Sequence, residues 1–225
     1  ALDPELLGKV FENLLAAYNP ETGATASKQT GSFYTPREIV NDMVDEALIA
    51  YLEAKLANDN ESYKDLAPPA LDLNGRLRHL FSYTEAPHRF SEAETKTLIA
   101  AIDNIKMLDL ACGSGAFPMG VLHRLVFLLA KLDPQNAGWR QRQIDKVRTS
   151  IEAAERTDDD RIREGALKDL EQQLAHIDDA FTRNELDYGR KLYLIENCIY
   201  GVDIQPIAVQ IAKLRFFISL IVDQK

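Results

Sequence analysis

The sequence has few cysteines and no long apolar run. Its two cysteines, Cys112 and Cys198, lie far apart and form no CxxC pair. This argues against a disulfide framework and against a structural zinc site, and no other metal site is indicated. No stretch approaches the roughly 18 apolar residues of a membrane span, and the N-terminal segment carries acids at Asp3, Glu5 and Glu12. The sequence therefore predicts a soluble, cytoplasmic protein with no membrane partner.

Positively charged residues are outnumbered by negatively charged ones, 26 to 35. The formal net charge is −9, and residues 1–60 contain four basic and ten acidic side chains. A broad basic surface for nucleic acid is therefore not expected here, and any DNA contacts should lie mainly elsewhere. Apolar residues make up 46% of the chain, which is enough to bury a full core.

The first half of the chain reads as mostly helical. Leucines and a valine at helical spacing predict a helix over Pro4–Tyr18, and residues 19–32 read as a polar loop. Thr35-Pro36-Arg37-Glu38 predicts a capping box with proline at the first helical position. Residues 58–88 read as irregular, and a second capping box at residues 91–94 starts the next helix.

The segment KMLDLACGSGAF, residues 106–117, is the most informative one. Met107, Leu108 and Leu110 predict a buried parallel strand within residues 105–110. Gly113 and Gly115 allow a tight turn and a close approach of the backbone to a ligand. A helix follows at once over residues 116–132, and its free N–H groups would face that ligand. The pattern predicts a nucleotide-type cofactor site.

A helical insertion separates this loop from the next strand. Over residues 136–196, apolar side chains recur at alternating spacings of three and four, with a turn at residues 157–160. Two antiparallel helices are predicted. With 11 basic and 14 acidic residues, the insertion is read as a spacer or docking hairpin rather than a DNA reader.

A second strand, Ile199–Val202, ends at Asp203 and is followed by a helix from Gln205 or Pro206 through about Val222. The apolar residues of this helix would cover one face of the sheet; they are Ile207, Ile211, Leu214, Ile218 and Ile221. In open parallel sheets the ligand lies across the carboxyl ends of neighbouring strands, where an acid can accept hydrogen bonds from ribose hydroxyls. A nicotinamide or flavin site would use the same parts, but it requires GxGxxG, and Pro118 stands at the sixth position. The site therefore fits S-adenosyl-L-methionine (AdoMet) better, since AdoMet has no pyrophosphate.

Three segments together resemble the adenine-N6 DNA methyltransferases of restriction-modification systems, especially the type IIG branch, and related phage-defence methyltransferases. These segments are GSFYTPREIV (residues 31–40), DLACGSGAF (109–117) and IYGVDIQPIAVQIAKLR (199–215). The resemblance implies a partial Rossmann-like, class I AdoMet-dependent methyltransferase core of the α/β class, with N-terminal helices and a helical-hairpin insertion. Residues 1–104 would form the N-terminal helical region and residues 105–225 the partial core.

The resemblance also implies roles for individual residues. Asp109 would face the cofactor's ammonium group, Asp203 would hold the ribose hydroxyls, and Ile204 would pack on the adenine ring. The rest of the implied cofactor site comprises Phe33, Tyr34, Thr35 and Pro36 at the methionine end, and Ala111, Cys112, Gly113, Ser114, Gly115, Ala116 and Phe117 in the loop and the helix start.

The motif that performs methyl transfer in that family is missing. The family carries (Asn/Asp/Ser)-Pro-Pro-(Tyr/Phe), whereas Pro68-Pro69 is flanked by alanines and precedes the glycine loop. We therefore expect no catalytic residue within this chain, a longer parent protein, and an inactive isolated chain. Double-stranded DNA would contact other parts of the parent, and restriction or defence subunits are possible partners.

Other interpretations are weaker but distinct. Cys112 could act as a nucleophile, although Ala111 replaces the proline that cytosine-C5 methyltransferases place there. The ExK triplets at residues 53–55 and 94–96 match a nuclease pattern but lie in helical stretches. The main alternative function is a non-catalytic AdoMet-binding or scaffold module that engages partner subunits.

Overall fold

The computed structural model describes residues 35–58, 72–156, 160–182 and 186–222, together with Val10. In this part of the chain the strands are β1 (Met107–Asp109) and β2 (Ile199–Gly201). The helices are α1 (Arg37–Asn58), α2 (Leu73–Phe81), α3 (Glu92–Asp103), α4 (Ala116–Leu132), α5 (Ala137–Glu155), α6 (Asp160–Thr182), α7 (Leu186–Asn197) and α8 (Pro206–Val222), with a short 3-10 turn at Pro134–Asn136. The described chain is thus mostly helical, with one small parallel sheet.

The chain divides into two compact units. The first comprises Ala1–Leu132 and Lys191–Lys225, and the second is Asp133–Arg190. The predicted helix over Pro4–Tyr18 lies outside the described residues except for Val10, which is helical. None of the described helices is long and apolar enough to cross a membrane.

The core of the first unit surrounds α4. Its leucines at helical spacing are almost fully buried and pack with apolar residues of α1, α2 and α3. The fully buried members of this cluster include Leu52, Leu56, Leu77, Leu80, Leu98, Ile102, Leu122, Leu125, Leu128 and Leu129. This helical layer covers one face of the sheet, because Met107 and Ile199 pack against the same cluster.

The opposite face of the sheet is open, which corrects one expectation. The strands pair in parallel with Leu108 beside Tyr200, so these two side chains share a face. Leu108 is 58% exposed and Leu110 74% exposed, although both were predicted to be buried. A run of apolar residues predicts two covered faces, but in the described chain only one face of this two-stranded sheet carries a helical layer.

Helix α8 also departs from its predicted packing. The sequence predicts that its apolar residues cover the sheet, and Ile211 is indeed buried. Ile207, Leu214 and Ile221, however, are each more than 40% exposed. The face that α8 buries instead contains small residues such as Ala208 and Ala212, and Ala212 approaches the glycine loop.

Helix α2 lies in the stretch that was predicted to be irregular, so that prediction is wrong for Leu73–Phe81. The prolines on either side and Gly75 weaken the helical signal. Leu77 and Leu80 nevertheless bury their side chains completely or nearly so, with 0% and 1% exposure. Burial against the core therefore outweighs the weak local preference.

The two predicted capping boxes have different outcomes. At α3 the box is confirmed, since Ser91 Oγ accepts from the Glu94 amide at 3.3 Å and Glu94 Oε2 accepts from the Ser91 amide at 2.7 Å. Helix α1 begins at Arg37, and the Pro36 carbonyl accepts the Val40 amide at 3.1 Å. Pro36, not Thr35, is therefore the N-cap residue, one position later than predicted.

The second unit contains the predicted helical hairpin. Helices α5 and α6 follow each other closely in the chain and pack along each other. Val147 is buried and Ile144 and Ile151 are half-buried on the predicted apolar face of α5. A further helix, α7, occupies residues that the sequence analysis assigned to the hairpin insertion without a helix of their own.

Buried charged and polar side chains form a hydrogen-bond network between the start of α5 and Arg190 of α7. Asp133 accepts hydrogen bonds from the Gly138 amide at 2.8 Å, the Trp139 amide at 2.9 Å and Arg190 Nη1 at 2.8 Å. The carboxylate thereby satisfies free N–H groups at the start of α5. Asn136, at a left-handed φ of 55°, accepts from Arg190 Nη1 at 2.8 Å through its side chain.

Candidate cofactor site

The carboxyl ends of β1 and β2 meet at one edge of the sheet. Beyond the regular pairing, the Val202 amide donates to the Asp109 carbonyl at 2.9 Å, and the Cys112 amide donates to the Val202 carbonyl at 3.0 Å. These bonds extend the parallel ladder past both strands. The loop after β1 is therefore fixed next to the residue that follows β2, although about 90 residues separate them in the sequence.

The glycine loop requires both of its glycines. Gly113 has a φ of 53° and Gly115 a φ of 86°, in the region that residues with a Cβ rarely adopt. The Gly115 amide donates to the Cys112 carbonyl at 2.8 Å, which closes the turn. A Cβ at Gly115 would lie 3.0 Å from the Ala212 Cβ, whereas a Cβ at Gly113 would meet nothing within 4 Å. The loop thus packs tightly on α8 and leaves open space beside Gly113.

Asp203 joins the loop to the next strand. Its Oδ2 accepts the Gly113 amide at 2.9 Å, and its Oδ1 accepts the Gln205 amide at 2.8 Å. A carboxylate offers about four acceptor positions, so roughly two remain for a ligand. The side chain is half-buried at the edge of the sheet, where ribose hydroxyls could donate to it.

The start of α4 offers one donor fewer for a phosphate than an ordinary helix start does. The Met119 amide donates to the Gly115 carbonyl at 3.0 Å, so Gly115 is the N-cap residue of this helix. Pro118, in the third helical position, has no N–H group. One of the free donors that normally bind a phosphate is therefore absent. This arrangement suits a cofactor without a pyrophosphate better than a dinucleotide.

The remaining predicted loop residues lie around this turn. Asp109 Oδ1 accepts the Ala111 amide at 3.1 Å, so this carboxylate is turned toward its own loop. Ser114 is buried with 2% exposure, and Ile204 is 93% exposed immediately after Asp203. Ala116 and Phe117 are half-buried at the start of α4.

The start of α1 lies at the same end of the first unit as the glycine loop. A Cβ on Gly120 would lie 2.7 Å from Val40 Cγ1, so the first turns of α1 and α4 are in contact. Further along both helices, Arg124 forms an ion pair of 2.5 Å with Asp45. The two helices therefore run in parallel, with Pro36 near the start of α4. Phe33 and Tyr34 lie outside the described residues.

Cys112 is buried beneath the loop. Burial raises the pKa of its thiol, and the nearby carboxylates of Asp109 and Asp203 raise this pKa further. Because a thiolate is the reactive form, Cys112 is poorly suited to act as a nucleophile. It acts as a small packing residue: a Cβ on Gly201 would lie 3.0 Å from the Cys112 Cβ.

We expect both cysteines to resist labelling in the native protein. Burial also raises the pKa of the Cys198 thiol, whose side chain is fully buried. At mildly alkaline pH, an aromatic disulfide reagent should therefore react with the native protein at least about tenfold more slowly than with the denatured protein. Absorbance at the wavelength of the released thiolate measures this rate. Rapid labelling of native Cys112 alone would contradict the packing role and support the nucleophile interpretation.

The two nuclease-like triplets are part of the helical framework. Glu94 forms an ion pair of 2.7 Å with Arg76 and belongs to the α3 capping box. Glu53 and Lys55 lie on α1, and Glu53 Oε2 accepts from Asn74 at 3.3 Å. Among the residues that the structure describes, no three His, Cys, Asp or Glu side chains are grouped to hold a metal ion. These triplets therefore have structural partners.

Arg215 is a site residue that the sequence analysis missed. It lies on the buried face of α8 with 4% exposure, and its Nη1 donates to the Ser114 carbonyl at 2.9 Å and to Ser114 Oγ at 3.3 Å. A sequence signal exists, because Arg215 follows Ile211 by four residues on an otherwise apolar or small-residue face. An arginine at such a position indicates a buried polar partner.

The chain is similar in sequence to a known protein over nearly its whole length. Over 221 residues the chain is 26% identical to a protein of Methanocaldococcus jannaschii named "Putative type II restriction enzyme and methyltransferase". The match covers 98% of this chain but only 14% of that relative's length. No protein-family profile and no solved structure matches the chain. The chain is therefore similar to a small part of this much longer relative.

Proposed function

We propose that this chain is the cofactor-binding part of an AdoMet-dependent DNA methyltransferase from a restriction-modification or phage-defence system, and that the reaction is methylation of adenine N6. The observation that carries the proposal is the 2.9 Å hydrogen bond from the Gly113 amide to Asp203. It unites a glycine loop and a strand-end acid in one crevice. The similarity to the M. jannaschii protein supports the same reaction class.

The proposed fold is a partial class I methyltransferase core of the Rossmann-like kind. The parallel β1–β2 pair, the glycine loop and α4 would form its central β-loop-α unit, and α8 would follow the second strand. The open face formed by Leu108, Leu110 and Tyr200 is consistent with such a core, because parallel sheets normally carry a covering layer on both faces and these apolar side chains would pack beneath the second one.

The proposed cofactor contacts follow from the chemistry of each side chain. Asp203 would accept hydrogen bonds from the ribose hydroxyls, and the exposed Ile204 would pack on adenine. Asp109 would face the cofactor's ammonium group. The first turn of α1, which begins at Arg37, would favour the cofactor's carboxylate through its free N–H groups, while Pro36 before it has none to donate. AdoMet itself supplies a methyl group bound to a positively charged sulfur.

The choice of adenine N6 rests on the order of the three resembling segments. The chain lacks the polar-Pro-Pro-aromatic motif that would accept hydrogen bonds from the adenine amino group. Catalytic residues and the main contacts with duplex DNA are therefore proposed to lie outside residues 1–225. This division agrees with the acidic character of the chain, whose formal net charge is −9.

Replacing Asp203 with Asn tests the cofactor assignment. Asparagine keeps the shape but loses the charge and places an NH₂ group near a backbone amide. We expect AdoMet affinity to fall about 10- to 100-fold, the usual cost of losing hydrogen bonds to a charged group. Titration calorimetry with AdoMet measures this change. Glu92→Gln is the matched control, because it removes one carboxylate charge from an exposed position on α3.

The same titrations separate the cofactor classes. Wild-type protein should bind AdoMet and its demethylated product and should not bind NAD⁺ at comparable concentration. Binding of NAD⁺ in preference to AdoMet would overturn the assignment, and an unchanged affinity of Asp203→Asn would refute the ribose role. Transfer of labelled methyl from AdoMet to DNA by the natural protein, followed by nucleoside analysis, then tests adenine N6.

A binding module without chemistry is the second candidate, and one observation favours it. Helix α8 exposes Leu214, Phe217 and Ile221, with Phe217 at 58%. Exposed apolar residues that recur along one helix are typical of contact surfaces. The two candidates differ in outcome, because a scaffold would bind AdoMet but the natural protein would transfer no methyl group to DNA.

A further inference from the structure

We propose that Arg215 is a positioning residue for the cofactor, which holds the glycine loop in its binding conformation from the adjacent helix. This inference rests on the proposed function, since it assumes that the loop binds AdoMet. Arg215 would not touch the cofactor. It would act through Ser114, the residue between the two glycines of the loop.

The contact is buried and specific. Arg215 Nη1 donates to the Ser114 carbonyl at 2.9 Å and lies 3.3 Å from Ser114 Oγ, and the two residues are 4% and 2% exposed. Burying a guanidinium is costly unless hydrogen bonds compensate. The neighbouring buried positions of α8 are filled by small or apolar residues, namely Ile211, Ala212, Ser219 and Leu220, so helix packing alone does not require an arginine.

The bonds restrain the loop at two points along its backbone. The peptide group that joins Ser114 to Gly115 is held at both ends, because its carbonyl accepts from Arg215 and its N–H donates to the Cys112 carbonyl at 2.8 Å. Earlier in the loop, the Gly113 N–H donates to Asp203 at 2.9 Å. The peptide group between Gly113 and Ser114 therefore lies between two restrained ones.

This restraint matters because glycine is flexible. Two nearby glycines with positive φ can adopt many other conformations in the absence of tertiary contacts. Without Arg215, the Ser114 carbonyl would lose its charged partner and the loop would sample these conformations. A ligand would then have to order the loop on binding, which lowers affinity. The chain segment after β2 would thus contribute two residues to cofactor binding: Asp203 would contact the ribose, and Arg215 would position the glycine loop.

The test compares two substitutions of Arg215 by AdoMet titration. Arg215→Met keeps the length and apolar stem of the side chain but removes the donors, and we expect the dissociation constant to rise about tenfold or more. Arg215→Lys keeps the positive charge and a shorter donor that only partly reaches Ser114. We therefore expect the dissociation constant of this variant to rise less than that of Arg215→Met. Leu220→Ala is the control, because it weakens α8 packing at a buried position away from the loop.

A purely structural role predicts a different pattern. If Arg215 only stabilised the fold, the AdoMet affinity of each variant would fall in step with its unfolding temperature. Leu220→Ala would then weaken AdoMet binding as much as an Arg215 variant of equal stability. The positioning role predicts weaker binding only for the Arg215 variants, with partial rescue by Lys and broadened amide resonances of Gly113 and Gly115. Wild-type affinity in folded Arg215→Met or Arg215→Lys would overturn the positioning role and leave the proposed function intact. Failure of the wild-type protein to bind AdoMet would overturn both.

Discussion

Arg190→Met is expected to lower the free energy of unfolding of the second unit by roughly 3–5 kcal/mol, the usual cost of removing one partner from a buried ion pair. Arg190 and Asp133 have side chains that are 4% and 6% exposed, and their charged atoms lie 2.8 Å apart. The substitution leaves the Asp133 carboxylate buried with two backbone amides as partners. It also removes the donor to Asn136, which holds a left-handed backbone conformation.

Arg142→Met is the matched control for this experiment. Arg142 approaches the same carboxylate oxygen at only 3.9 Å and is 39% exposed, so its removal should cost less than about 1 kcal/mol. Urea unfolding followed by circular dichroism gives the two free energies. Amide exchange should accelerate mainly in α5 and α6, because the partners of Asp133 lie within Asp133–Arg190. Equal losses for both variants would mean that the buried pair does not stabilise this unit.

The parts of the fold with strong local signals were predictable. The boundaries of α4 and the start of α8 match the sequence analysis, because an N-terminal glycine turn and a proline at the first helical position mark them. The α3 capping box is likewise a local pattern of Ser91 and Glu94. Parallel pairing of β1 with β2 agrees with the rule that strands joined through helices lie side by side in parallel.

The missed features depend on distant contacts. Leu77 is fully buried against the core, and this burial makes Leu73–Phe81 helical despite Gly75. Leu108 and Leu110 are exposed because the described chain covers only one face of a two-stranded sheet, a fact that no local pattern contains. Arg215 is buried by a partner about a hundred residues earlier in the chain.

The candidate site likewise combines features that local sequence motifs predict with features that depend on distant contacts. Gly113, Gly115 and Asp203 are each marked by a local motif, and their placement in one crevice follows from the topology of parallel sheets. The hydrogen bond that joins Gly113 to Asp203 adds something the motifs do not state, namely that the acid also orders the loop. Substitution of Asp203 should therefore alter both the loop and the ligand contacts, which is why an isosteric Asn is the informative replacement.

The two loop glycines should respond differently to the same substitution. Gly115→Ala is expected to destabilise the first unit by roughly 2–4 kcal/mol, because it combines the cost of a positive φ with overpacking against Ala212. Its φ is 86°, and the added Cβ would lie 3.0 Å from the Ala212 Cβ. Gly113→Ala should cost only about 1–2 kcal/mol, since its Cβ enters open space at a φ of 53°.

A double-mutant cycle separates the two costs at Gly115. Adding Ala212→Gly to Gly115→Ala removes the crowding but not the unfavourable φ, so the pair should recover about 1 kcal/mol or more beyond additivity. Urea unfolding of the wild type, the two single variants and the double variant measures this coupling. Additive losses of stability would show that crowding between the Cβ added at Gly115 and Ala212 does not destabilise the protein. Gly113→Ala has the complementary role. Its Cβ would point into the open side of the loop, so in the proposed site it should weaken AdoMet binding more than its modest loss of stability explains.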